Sequence, residues 1–415
     1  MHHTATAGRT LGPESCSKRL RGVGIRPLCR WTTLALALIA TTRCSSERAT
    51  APRISRPVTL TVGADHSCRI TSATASYCWG ANWAGAIGSG DNASEVYTPE
   101  LVAGGESFVT LAAAPDHTCG LTSDGVPYCW GWNIMGALGT GDTVSHATPV
   151  VAGAGLRLTS LTAGGSRWSR TCGVTNSGTA YCWGSPAGGQ LGDGDSVTIH
   201  PSPTPVAGGL AFAKVDAGGY FHACGVTISG SGYCWGDNSR GQLGVGDSAN
   251  RYVPVPVAGR LTLESIAAGG FHSCGLTPAG TAYCWGDNGL GELGDGTTTG
   301  SPTPVPVSGG MAFTSIVVGA YHTCALTAAG VAYCWGDNSS SQLGAYPASP
   351  YVAKSTVPVP VLGGIAFASL AAGDEHSCGV AQGGATYCWG QNNAGQLGDG
   401  TATTAYQPVR VLLPS

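Results

Sequence analysis

Short runs of β-forming residues alternate along most of the chain with clusters of Gly, Pro, Thr, Asn and Asp, and no stretch sustains a long helical periodicity. Such runs, bounded by turn formers, predict short strands and many turns. The pattern recurs seven times with a period of about fifty residues, which specifies an array of similar small sheets. Its clearest copy is Ala268 to Thr297, AGGFHSCGLTPAGTAYCWGDNGLGELGDGT. The fixed points are a His two residues before a Cys, a second Cys ten residues on, the run Tyr-Cys-Trp-Gly, and a loop close to Gly-Gln-Leu-Gly-Asp-Gly.

Between each pair of Cys, β-formers flank a turn, and the stretch reads as a hairpin. If Cys274 faces Cys284, Thr277 faces Thr281, and Pro278-Ala279-Gly280 forms a three-residue loop. Its last residue should be left-handed, a conformation Gly tolerates. Gly125, Gly178, Gly230, Gly330 and Gly384 hold the same place, and the first repeat has Thr74 there. Counted outward from that turn, the two Cys fall at a non-hydrogen-bonded position, where opposed Cα atoms approach to about 4.5 Å. A disulfide fits that geometry. The expected bridges join Cys68 and Cys78, Cys119 and Cys129, Cys172 and Cys182, Cys224 and Cys234, Cys274 and Cys284, Cys324 and Cys334, and Cys378 and Cys388. Zinc is the competing reading, but the chain lacks CxxC knuckles.

Four strands per unit are expected. Around Cys324 they are Val305 to Val307, Phe313 to Val318, His322 to Thr327 and Val331 to Trp335. Pro304 and Pro306 remove backbone donors and so place the first of these at a sheet edge. Seven such units make an all-β, seven-bladed propeller. The first repeat starts near Val58 without a Pro-Val strand, whereas the chain ends with a spare one, Pro408 to Val411. Pairing of N- and C-terminal strands should therefore close the ring and remove exposed edges. The repeated Trp79, Trp130, Trp183, Trp235, Trp285, Trp335 and Trp389 are expected to fill the spaces between blades.

Composition changes near residue 50. Arg9, Lys18, Arg19, Arg21, Arg26 and Arg30 precede the apolar run Thr33 to Ala40, and Ser45, Ser46 and Glu47 follow it. That order reads residues 1–50 as a signal or targeting segment, removed on export, and 51–415 as the propeller. The apolar run is too short for a permanent transmembrane helix, so the mature chain is expected to have no membrane span. Cys44 is a candidate lipid-attachment residue. It and Cys16 and Cys29 are the cysteines left over from the pairs. Paired cysteines and export agree, since disulfides persist outside the reducing cytosol. A secreted, periplasmic or cell-surface location follows as the expectation. The formal net charge is -3, and no basic stripe follows residue 50, which disfavours nucleic acid as a partner.

The unit Ala-Gly-x-x-His-Ser-Cys-Gly-Leu-Thr, Gly-x-x-Tyr-Cys-Trp-Gly-x-Asn, Gly-Gln-Leu-Gly-Asp-Gly resembles the regulator of chromosome condensation repeat over nearly all of residues 58 to 412. The resemblance implies a seven-bladed propeller that offers its faces to other proteins. The family's namesake is a nuclear exchange factor for a small GTPase, and a secreted bacterial relative inhibits β-lactamases. The cysteines depart from the family pattern and resemble an adaptation to an oxidising compartment. That departure weighs against exchange activity.

No Ser-His-Asp set, catalytic carboxylate pair or phosphate loop stands out, so the chain is read as non-enzymatic. His66, His117, His222, His272, His322 and His376 recur on separate blades, too far apart for one metal's ligand shell, and are read as structural. Arg170 takes that place in the third repeat. Asp193, Asp195, Asp247, Asp295 and Asp399 are read as turn formers and not calcium ligands. No cofactor or metal is expected.

The repeats break rank at one place. The third carries Ser166-Arg167-Trp168-Ser169-Arg170 before its first Cys, and the first two place Trp83 and Trp132 just after Trp-Gly. Strand direction puts the start of the His strand and the end of the Tyr-Cys-Trp strand on one face. Trp83, Trp132, Arg167, Trp168 and Arg170 are therefore the candidate partner-binding residues, because Trp and Arg are enriched at interaction hot spots. The competing reading of Trp83 and Trp132 is packing onto their own blades. The expected function is an exported binding or scaffold module, monomeric, engaging a protein or ligand through one face. An extracellular enzyme inhibitor and a guanyl-nucleotide exchange regulator are the alternatives.

Overall fold

The computed structural model describes residues 60–414 apart from 72–74, 92, 166–167 and 348–349. The basic and apolar segment, Cys44 and Arg167 lie outside the described residues. Each Cys-x9-Cys stretch folds as the expected hairpin. Cys274 pairs with Cys284 in the ladder, the Thr277 N–H donates to the Thr281 carbonyl at 3.0 Å, and Gly280 has φ +82°. All seven bridges are formed, with Cα–Cα distances of 4.0 to 4.1 Å.

Seven four-stranded antiparallel sheets result. Their inner strands are Leu60–Val62, Phe108–Ala113, Ser160–Gly164, Phe212–Asp216, Ser265–Ala268, Phe313–Val318 and Phe367–Ala372, which define blades 1 to 7 in order. Each inner strand neighbours the next around a central channel, and Leu60–Val62 also neighbours Phe367–Ala372, so the ring closes.

Two details of the expected assembly are corrected. The Pro-Val strand does not belong to the unit that follows it. Ser301–Pro306 pairs with the preceding Tyr-Cys-Trp strand, Tyr283 facing Pro306, and is the outermost strand of blade 5. The edge position argued from its prolines holds. Since every blade takes its outer strand from the chain that follows, blades 1 and 7 each consist of four consecutive strands, and Ala405–Arg410 is the outer edge of blade 7. Among the described residues, no pairing of N- and C-terminal strands closes the ring. Packing and side-chain hydrogen bonds between blades 7 and 1 hold it instead.

Those bonds repeat around the molecule. The Trp79 indole N–H of blade 1 donates to the Gln396 carbonyl of blade 7 at 2.9 Å, and the Ser67 hydroxyl donates to the same carbonyl at 3.0 Å. His376 Nε2 of blade 7 lies 2.9 Å from that hydroxyl. Because the hydroxyl's one hydrogen goes to the carbonyl, the imidazole is the donor and carries its hydrogen on Nε2. The same latch joins His66 to Thr118, His117 to Thr171, His222 to Ser273, His272 to Thr323 and His322 to Ser377. The seven Trp are fully buried between blades, as expected, each indole donating to a loop carbonyl of the preceding blade. Gly398 shows why the loop ends in Gly: a Cβ there would stand 2.7 Å from the Trp79 ring.

Candidate partner-binding face

The register of the second and third strands fixes this face. His66 pairs with Gly80 and His117 with Gly131, so the residues before each His and those after each Trp-Gly emerge together. Trp83 opens a short 3-10 turn, Trp83–Gly85, and is 65% exposed. Trp132 is half-buried, its backbone N–H donating to the Asp116 carbonyl at 2.9 Å. Together with Ala64, Asp65, Ala84, Pro115 and Asp116 they line a hollow of about 640 Å³ across blades 1 and 2. Trp168 of blade 3 is 42% exposed, and its neighbour Ser169 donates to the Asp116 carboxylate.

Arg170 must be removed from the expected set. It is fully buried, because its guanidinium replaces the His of the latch and turns toward blade 4. There it donates to the carbonyls of Ala217 and His222, to that of Tyr220 at 3.3 Å, and to Gln190 Oε1 at 2.7 Å. Burial lowers its pKa to about 9, so it remains a cation at neutral pH. A residue so enclosed cannot meet a partner. The opposite end of this latch is also altered, since blade 4 has Ala223 where the other blades have Ser or Thr.

The His residues serve the latches. Burial pushes His66 and His322 down to about 4, and His222, His272 and His376 down to about 3. The loop carboxylates close turns: Asp295 Oδ1 accepts from the Thr297 N–H at 2.8 Å, and Asp399 Oδ1 from that of Thr401 at 3.0 Å.

The residue just before the His position carries a signal that repeat reading passed over. It is aromatic in blades 4 to 6, as Phe221, Phe271 and Tyr321, and acidic in blades 7, 1 and 2, as Glu375, Asp65 and Asp116. Tyr220 packs edge-on against Phe271, ring centroids 5.5 Å apart, and its hydroxyl donates to Asp374 of blade 7 at 3.0 Å, spanning the channel mouth. Small residues from all seven blades narrow that mouth to a cavity of about 80 Å³. Burial raises Asp374 to about 6 and also raises Asp65, with Glu375 adding to the second shift.

A ring of seven latched, four-stranded blades with one differentiated face defines a seven-bladed β-propeller. The RCC1-like domain model matches residues 34–350 and 109–415, and the chain belongs to that family. The Arabidopsis thaliana ultraviolet-B receptor UVR8 is 33% identical over 202 residues, covering 48% of this chain and 45% of that protein. Human E3 ubiquitin-protein ligase HERC2 is 31% identical over 210 residues, covering 48% of this chain and 4% of HERC2. The matches thus span less than half the length of these relatives. Prp20p of Saccharomyces cerevisiae, described with binding properties to Gsp1p and histones, superposes with TM-score 0.70 at 23% identity over 85% of this chain and 87% of its own. Human WBSCR16 superposes with TM-score 0.72 at 19% identity over 81% and 94%. At these identities the likeness is one of fold.

Proposed function

We propose that this chain is an exported, non-enzymatic binding propeller that docks a partner protein on the face carrying Trp83, Trp132 and Trp168. The observation that carries the reading is Trp83 standing 65% exposed at the rim of a hollow, at a blade position where the other repeats hold smaller or more polar residues. A large indole left in water is costly unless something covers it, and an apolar hollow rimmed by polar groups is the usual form of an interaction site.

Seven bridges favour an oxidising compartment, and with it a partner met outside the cytosol. No helix among the described residues is long and apolar enough to cross a membrane. The test joins fractionation, which locates the chain, to affinity capture with the oxidised protein and its Trp variants, which locates the docking face.

A further inference from the structure

Blades 4, 6 and 7 fill the Gly-Gln-Leu-Gly loop, Ser341-Gln342-Leu343-Gly344 in blade 6, with an amide network. Gln242 Nε2 donates to Asp237 at 2.7 Å and Gln342 Nε2 to Asp337 at 2.7 Å. In blade 7 Gln396 Nε2 donates to Gln391 at 3.1 Å and extends across the seam to Asp65 of blade 1 at 3.4 Å. Blades 1 and 2 have lost this network. Ala86 and Ala137 stand at the Gln position, and Ala81 and Trp132 at the position of its acidic or amide partner. Asp116 of blade 2 accordingly receives no amide from blade 1. Its Oδ1 accepts from Ser169 and lies 3.5 Å from His117 Nδ1, and no hydrogen bond to Oδ2 occurs among the described residues. The hollow opens between these two blades, and its lining joins two indoles and two acidic residues to the small apolar surfaces of Ala64, Ala84 and Pro115.

We propose that this hollow is a receptor for a cationic side chain of the partner, an arginine guanidinium, held against Trp83 and Trp132 and neutralised by Asp116 and Asp65. This rests on the docking reading above and names the chemistry that the docking site selects. An indole face attracts a cation, most strongly where both are partly desolvated, and a planar guanidinium can stack on it while donating to a carboxylate. Charge complementarity extends beyond the hollow, because the residues preceding the His position are acidic on blades 7, 1 and 2, with Asp374 beside them. A neutral or acidic occupant would leave those carboxylates desolvated without a counter-charge, which is unfavourable.

The test uses the full oxidised chain and two small probes, N-acetyl-arginine amide and its neutral isostere N-acetyl-citrulline amide. Indole N–H resonances are followed by NMR and assigned by single Trp substitution. The arginine probe should shift the Trp83 and Trp132 resonances saturably and bind at least about tenfold more tightly than the citrulline probe. Binding should weaken about tenfold in W83A/W132A and again in A86Q, which supplies a competing amide of the kind the other blades carry. Because A86Q leaves both indoles in place, its loss of binding cannot be assigned to misfolding when the remaining resonances are unmoved. Equal binding of the two probes, or no shift at either indole, overturns the proposal. If W83A/W132A/W168A loses a captured partner while the arginine probe fails to bind, the docking reading stands and this inference falls. If the probe binds and partner capture survives the triple substitution, the inference stands and the docking reading falls.

Discussion

Arg170 donates to the main-chain carbonyl of His222, so one buried cation spans the seam between blades 3 and 4 where every other seam is joined through an imidazole and a hydroxyl. Ala223, beside His222, lacks the hydroxyl that such an imidazole would need. The two residues form an exchanged pair: a longer donor on one blade reaches backbone oxygens directly and makes the hydroxyl on the next unnecessary.

That pairing predicts a measurable coupling. R170H should lower stability by about 3 kcal/mol, since several buried carbonyls lose their donor and the new imidazole finds no hydroxyl. Adding A223S should recover about 1 kcal/mol by rebuilding the ordinary latch. A denaturant double-mutant cycle measures this. Strict additivity of the two changes would show that the sites are independent.

Each bridge closes a short loop on a hairpin already specified by its turn. Replacing Cys274 and Cys284 together by Ala should therefore cost at most about 3 kcal/mol and leave the other six bridges intact. Non-reducing peptide mapping and a denaturant midpoint check both parts. A loss of the whole fold would mean that the blades have no independent core.

The buried imidazoles set the acid limit of the fold. His66, His222, His272, His322 and His376 have folded-state pKa values lowered from 6.5 to about 3 or 4. Between those values the unfolded chain binds protons that the native chain does not, so stability falls as pH drops below 6.5, by about 1.4 kcal/mol per pH unit for each group. Asp65, Glu292 and Asp374, raised by burial, work in the opposite direction but are fewer. The denaturant midpoint should be nearly independent of these imidazoles above pH 7 and decline steeply from pH 6 to pH 4.5. A flat profile would contradict the buried neutral assignment.

Much of this fold is legible in the repeat itself. The hairpin, its left-handed Gly280, the bridges, the blade count and the inter-blade Trp all follow from spacing, because a period-2 ladder and a three-residue turn leave little freedom. The ownership of the Pro-Val strand does not follow. An edge strand pairs on one side only, and its prolines state that it is an edge without stating which neighbour it joins. Arg170 is not legible in the same way: an Arg at a broken repeat position suggests exposure, whereas its burial depends on carbonyls of Ala217 and His222 that only the closed ring brings near. The hollow was half legible. Trp83 and Trp132 stand out as additions, but that they share one hollow with Asp65 and Asp116 depends on how blades 1 and 2 pack, and the Ala at 86 and 137 in place of Gln is noticed only against the amide network of the other blades.

The Trp face carries the proposed function. The most direct measurement compares wild type with W83A/W132A/W168A in affinity capture from the extracellular fraction, with thermal unfolding followed in parallel. Loss of the captured partner with cooperative unfolding retained and a melting temperature lowered by no more than about 4 °C is the expected result, since Trp83 and Trp168 are exposed and only the half-buried Trp132 gives up packing on its blade. Retention of the partner, or a melting temperature that collapses, would show that these indoles serve the blades and not a partner.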